Sequence, residues 1–285
     1  MINFFFKLRN YLKIFKTPDT QKGNIKSKNI HIDLSCETNH LGDTLIFTPL
    51  VFGLIDQKFN VTANDPYGLI NKIFKIKKKP QRNSLKIGRS NKFANHKKLD
   101  FNINFYSMPN EPIAKGLFKK FLEESEYSNT IRRLKGLISE LGDCQNLKPE
   151  ITQGKFVIFA PEINSRKFGF YPSQKSTRTE IKKQILSMKK EGYKIILIGS
   201  SKDKYSEKFG TNMPVDYDLR GETKWHELIY LINHENFHML ITFDTFPYHL
   251  ACILNAENMV FSRSWINQSE YFWIKGRFIP AFIDR

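Results

Sequence analysis

Four short apolar runs dominate the second half of the chain: "KFVIFAPE" (155–162), "KIILIGS" (194–200), "HMLITFD" (238–244) and "NMVFSR" (258–263). Each is too short for a helix and too continuously apolar to show water every second residue, which is the pattern of strands covered on both faces. Between them lie segments with helical spacing at 177–193, 223–235 and 247–256, the first opened by a Thr177/Glu180 capping box. Strands that alternate with helices in this way are satisfied by a parallel sheet with helices packed on both sides.

The first half repeats the theme more loosely. "IHIDLSC" (30–36) reads as a strand, "DTLIFTPLVFGLIDQ" (43–57) as a helix with Pro49 early in it, and "FNVTAND" (59–65) as the next strand, which together make one βαβ unit. A short basic helix at 67–79, a lysine-rich loop without clear period at 77–98, a strand at 99–107 and helix in two pieces over 114–142 complete it. Gly, Asn and Pro cluster at 142–155. A break there divides the chain into a basic segment 1–28, an α/β domain 29–150 and an α/β domain 151–285. Two such domains enclose a cleft lined by the carboxyl ends of their strands, where open parallel sheets bind ligands.

With 45 Lys plus Arg against 28 Asp plus Glu, the 285 residues carry a formal charge of +17. The natural partners of such a chain are polyanions: nucleic acid, an anionic membrane or phosphorylated substrates. Neither zinc-finger spacing nor a basic region leading into heptads is present, so no nucleic-acid partner is expected. The start, "MINFFFKLRNYLKIFK", sets Phe4, Phe5, Leu8, Leu12 and Phe15 near one helical face, with Lys7, Arg9, Lys13 and Lys16 largely elsewhere. That is the pattern of a helix lying on an anionic membrane surface, and equally of one packed on the protein itself. It makes a poor signal peptide, and no stretch reaches the length of a membrane span. Cys36, Cys144 and Cys252 are far apart and read as free, mostly buried thiols of a reducing compartment.

The chemistry-bearing residues concentrate in loops that follow strands. In "NHLGDTLIFTPL" (39–50), Gly42-Asp43 starts a helix, and Asp43 is either an ordinary helix-start residue or a carboxylate held there for chemistry. In "LITFDTFPYHLACIL" (240–254), Asp244 and Thr245 end a strand and His249 sits in the first turn of the next helix. Free N–H groups and the helix dipole at that point suit a phosphate, although an Asp/Thr N-cap with a core histidine has the same spacing. Gly221 in "LRGETKWHELIYLI" supplies a turn bordering the same region, and Arg166 and Lys167 in "APEINSRKFGFYP" are cations suited to a diphosphate. "DYD" (216–218) precedes a strand-turn and reads as structural rather than as a metal site, and His226, His234 and His238 read as surface histidines.

The pair "LRGETKWHELIYLI" and "FDTFPYHLACILNA", preceded far upstream by "NHLGDTLIFTPLVFGL", resembles the signature of glycosyltransferase family 9, the heptosyltransferase-like enzymes. The resemblance implies the GT-B fold, two Rossmann-like domains with a cleft between them. It implies inverting transfer of a sugar, without metal or other cofactor, from a nucleotide-diphosphate sugar to a lipopolysaccharide core or related surface glycan. It makes Asp43 the general base, with Asn39, Gly42 and Thr44 on the acceptor side, and assigns the donor to Arg166, Lys167, Gly221, Asp244, Thr245 and His249. Its partners are the nucleotide sugar and an anionic glycolipid or oligosaccharide. Its place is the cytoplasmic, inner face of a bacterial inner membrane, held by peripheral contact. Phe246 stands where the family carries glycine, which motivates a second expectation: a weak or inactive relative that binds glycan or assembles with partners.

Overall fold

A computed structural model of the chain describes residues 28–35, 41–89, 101–103, 124–161, 175–200, 214–243, 245–262 and 277–280. The basic segment 1–16, Cys36, and the part of the expected 114–142 helix before residue 124 lie outside them.

The first half forms β1 (Asn29–Asp33), α1 (Leu41–Ile46), α2 (Thr48–Asp56), β2 (Asn60–Asn64), α3 (Leu69–Phe74), β3 (Leu85–Arg89) and β4 (Phe101–Ile103). Its strands make a wholly parallel sheet in the order β2-β1-β3-β4. After α4 (Glu124–Ser139) and α5 (Pro149–Thr152) come β5 (Phe156–Ala160), α6 (Lys175–Lys190), β6 (Lys194–Leu197), β7 (Tyr217–Asp218), α7 (Trp225–Asn233) and β8 (Phe237–Phe243). The chain continues with α8 (Phe246–Leu254), β9 (Asn258–Ser262) and β10 (Arg277–Pro280). This second sheet is also parallel throughout, in the order β10-β9-β8-β5-β6-β7. It is the doubly wound Rossmann order, with the reversal between β5 and β8.

Burial explains why the apolar runs are so continuous. Every residue of β5 is buried. Val157 and Phe159 pack with Ile181 and Ile185 of α6 on one face. Phe156, Ile158 and Ala160 pack with Leu228, Ile229 and Ile232 of α7 and Leu250 of α8 on the other. Alternate residues of one strand thus belong to different helix layers, and neither face tolerates a charge.

Several local expectations are corrected. The helix expected over 43–57 is two helices, beginning at Leu41 and parting at Phe47. Pro49 has no N–H to donate to the Leu45 carbonyl, and the Thr48 hydroxyl donates to it instead at 2.7 Å. Thr48 is fully buried, so Thr48→Val strands that carbonyl and should lower unfolding stability by about 1–3 kcal/mol, read as a shift in the urea midpoint. The 67–79 helix stops at Lys75, which adopts a left-handed conformation with φ 54°. The lysine-rich loop contains β3, whose Ile87 is fully buried beside β1. At α6 the helix starts at Lys175, two residues ahead of Thr177, which therefore lies inside it; Glu180 accepts instead from the Gln184 amide at 2.6 Å. The strand β10, in the apolar tail of the chain, was not anticipated.

Of the cysteines, Cys252 is buried and Cys144 is exposed, against the expectation of mostly buried thiols. The three histidines are half-buried on aromatic rings rather than solvated: His226 on Trp225, His234 on Phe156 and Tyr230, and His238 stacked on Tyr193 at 4.3 Å. "DYD" is committed within the fold. Asp216 accepts from Lys189 and from the Ile195 N–H, both at 2.8 Å, and Asp218 takes the Arg220 guanidinium at 2.9 and 2.7 Å.

His31, in the middle of β1, lies 2.9 Å from the Thr62 hydroxyl, and burial pushes its imidazole below the ordinary 6.5. Asp33 opposes the shift and Lys86 adds to it. The unfolded chain then takes up this proton at higher pH than the folded one, so the stability held above pH 6.5 drains away as pH falls toward the folded value. Comparison of thermal midpoints at neutral and mildly acidic pH should show a smaller acid loss in His31→Gln than in the wild type.

Candidate functional site

Each sheet has one place where neighbouring strands continue in opposite directions, and there the loops after the strands diverge to leave room for a ligand. In the first sheet that place is beside β1, flanked by β2 and β3, and the chain leaving β1 leads to α1. In the second it lies between β5 and β8, and the chain leaving β8 leads to α8. Both sequence motifs singled out above therefore follow switch-point strands.

The structure brings these two helix starts together. Helices α1 and α8 pack directly on each other. A Cβ built on Gly42 would sit 3.3 Å from the Phe246 backbone nitrogen and 3.4 Å from Phe246 Cα and His249 Cδ2. Glycine suits this close approach, since even a single added carbon would press on the backbone of α8 and on the His249 ring. The backbone of Asp43, the next residue, lies in the first turn of α1. Residues 204 and 207 positions apart in sequence thus share one junction.

Other candidates take different positions. Thr245 is the extended N-cap of α8, but its hydroxyl turns back toward the strand, 3.3 Å from the Phe243 carbonyl and 3.3 Å from the Thr242 hydroxyl, rather than capping the helix. His249 is buried in the first turns of α8 with an edge toward Gly42. Thr44 is fully buried. Gly221 holds a positive φ of 76° and donates to the Gly199 carbonyl at 2.9 Å, making the turn between β7 and α7. That turn is three strand steps from β8, roughly 14 Å along the sheet, so it lines the same edge without joining the Gly42 junction. The side chain of Asp43 and the whole of Asn39, Arg166, Lys167 and Asp244 lie outside the described residues.

The first turn of α8 offers fewer donors than its sequence suggested. Pro247 has no N–H, and the Tyr248 and His249 N–H groups donate to the Thr245 carbonyl at 3.0 and 3.3 Å. Among the described residues Phe246 keeps the uncommitted first-turn N–H, and it faces Gly42. The helix dipole remains, so the junction stays favourable to an anion even with few direct donors.

Sequence reasoning missed Thr242. Fully buried, it donates from its hydroxyl to the Ala160 carbonyl at 3.1 Å, tying the ends of β5 and β8 at the switch point and continuing to Thr245. A hydroxyl interrupting the apolar run "HMLITFD" was the available signal. Glu227 was likewise passed over: it is buried in the first turn of α7, one oxygen accepting the Lys224 N–H at 2.7 Å. The other oxygen has no hydrogen-bond partner among the described residues.

No family model matches the chain, and no curated protein does. Among solved structures, the crystal structure of the glycosyl transferase family 9 from Veillonella parvula is similar over 91% of this chain and 89% of its own, with 12% identity and a TM-score of 0.51. The E. coli ADP-heptose lps heptosyltransferase II covers 88% and 90% at 16% identity and TM-score 0.47, and an E. coli heptosyltransferase with ADP covers 88% and 90% at 12% and 0.41. The V. parvula likeness extends over nearly all of both chains, and with the two parallel sheets it makes this an α/β chain of the fold that family 9 structure adopts.

Proposed function

We propose that the chain is a glycosyltransferase of the family 9 type, of GT-B architecture with domains 29–150 and 151–285 preceded by the basic segment 1–28. It moves a sugar, a heptose being the first to try, from a nucleotide-diphosphate donor to a lipopolysaccharide core or related surface glycan. The observation that carries this reading is the contact of Gly42 with Phe246 and His249, which sets the Asp43 turn beside the helix that follows the donor-side strand. Asp43 takes the proton of the acceptor hydroxyl as that oxygen attacks the anomeric carbon. The departing nucleotide diphosphate is stabilised by the start of α8 with Thr245 and His249 and by Arg166 or Lys167, while Asp244 accepts from a hydroxyl of the donor sugar or from local N–H groups. Fixed protein groups meet the leaving-group charge, so no metal or other cofactor is required, and attack opposite the leaving group inverts the anomeric centre. Peripheral contact with the cytoplasmic face of a bacterial inner membrane suits both the charge of +17 and an anionic glycolipid acceptor. No described helix is long and apolar enough to cross a membrane.

The test is transfer by purified protein from ADP-, UDP- and GDP-sugars to lipid-linked oligosaccharides in the presence of a chelator, with the anomeric configuration of the product determined. Inverted product under chelation is expected; a retained configuration or activity restored only by a divalent cation overturns the mechanism. A second reading, a weak or inactive relative acting as a glycan-binding or assembly partner, is favoured by the committed N–H groups of α8. Neither transfer nor donor hydrolysis with any pair, alongside measurable glycan binding, would establish it.

A further inference from the structure

The strands of the first sheet all run the same way, so everything that precedes β1, β2 and β3 gathers at the end of the sheet away from the Gly42 junction. Three chain segments are knotted together there. The Asn29 side-chain amide donates to the Arg82 carbonyl at 3.3 Å, the Asn60 side-chain amide donates to the Asn29 side chain at 3.0 Å, and the Asn60 N–H donates to the Lys28 carbonyl at 2.8 Å. Around this knot stand Lys28, Lys58 and Arg82, and Lys78 and Lys79 lie on the short loop leading to it; all five are exposed. Within 28–29, 56–60 and 78–86 the only carboxylate is Asp56, and Arg133 holds it at 3.0 Å. None of the five cations has an ion pair among the described residues.

We infer that this rim is a docking face for an anionic phospholipid bilayer. Clustered basic residues without counter-ions are drawn to an acidic lipid surface, and stable attachment takes two weak signals rather than one. The second signal is offered by the sequence ahead of Lys28. Lys28 begins the described chain, and the residues ahead of it carry the sequence pattern of Phe4, Phe5, Leu8, Leu12 and Phe15 interleaved with basic residues. A nucleic-acid groove is less well served, because 78–86 contains no aromatic side chain on which a base could stack. The five-residue strand β1, roughly 16 Å long, has the rim at one end and the chain leading to Gly42 at the other. Docked this way, the protein works on a sugar carried outward from the lipid by preceding saccharides, a point that rests on the proposed function.

The experiment is co-sedimentation of the full chain and of Lys78→Glu/Lys79→Glu/Arg82→Glu with phosphatidylcholine vesicles, with and without phosphatidylglycerol. The expected result is binding only to anionic vesicles, weakened by roughly 100-fold in the triple variant and by added salt. Circular dichroism and thermal unfolding confirm that the variant is folded, and Lys78→Gln/Lys79→Gln/Arg82→Gln serves as a milder second variant. Unchanged vesicle binding in both folded variants overturns the assignment, as does tight RNA binding at physiological salt that the same substitutions abolish while vesicle binding stays. Transfer to a water-soluble acceptor separates the two ideas: the triple variant keeps it if the rim is only a docking face. Its absence from the wild type tells against the proposed reaction, leaving the vesicle result to judge the rim.

Discussion

Asp43→Asn lowers kcat for sugar transfer by about 10²–10⁴-fold while leaving the thermal midpoint close to that of the wild type. Asparagine matches the shape of aspartate, so the packing is preserved while the capacity to hold a proton is lost. The acid limb of the pH–rate profile, set in the wild type by protonation of the base, should disappear with it. A catalytic part is separable from a structural one: Asp43→Ser, which also lacks the base, should lose rate to a similar degree with the thermal midpoint again close to that of the wild type. Full activity in the asparagine variant would remove Asp43 from the mechanism.

Gly42→Val is expected to be as damaging by another route. An added Cβ already falls 3.3 Å from the Phe246 nitrogen and 3.4 Å from Phe246 Cα and His249 Cδ2, and valine adds two methyl groups to that crowding. Overpacking of this kind costs about 1–3 kcal/mol. For Gly42→Ala, the helix propensity gained, about 1 kcal/mol, offsets part of the strain and leaves a small net effect. Valine lacks most of that compensation and should reach about 3 kcal/mol in urea unfolding. Because α1 must move off α8, kcat/KM should fall by about 100-fold, the scale associated with displacing a reacting group by an ångström. Gly136, in the interior of α4 with nothing within 4 Å of an added Cβ, is the control. Gly136→Ala should be neutral or stabilising and fully active, and a loss of activity there equal to that of Gly42→Val would count against close approach as the reason for Gly42.

What could be read from the sequence divides along physical lines. The second sheet was legible because its strands are buried on both faces, which forces continuous apolar runs such as "FVIFA" and "IILIG". In the first sheet β3 was hidden: "LKIGR" offers two apolar residues at alternate positions inside a lysine-rich stretch, and its pairing with β1 is set by contacts 55 residues away in sequence, as between Ile30 and Leu85. The break at Phe47 depended on whether a hydroxyl could replace the N–H that Pro49 lacks, a matter of geometry rather than period. At the site, the residue types at strand ends were visible, but the reason for Gly42 was not, because the atoms it must avoid belong to residues 246 and 249. The loss of free donors in α8 came from Pro247 and from the Thr245 carbonyl, both present in the sequence but silent until the turn was closed.

Helix α8 sends Tyr248 and Cys252 into the core built on β1, β2 and α2, while Leu250, Ala251, Ile253 and Leu254 fill the core on the second sheet. A ribosome releases β1 long before either of those two side chains has been made. The earliest-synthesised sheet therefore waits, with part of its apolar floor uncovered, until almost the whole chain has emerged. A fragment ending at the inter-sheet connection would carry the first sheet's strands but not that floor, and should show exposed apolar surface and a strong tendency to associate. In this chain the order of synthesis and the order of structural completion run in opposite directions.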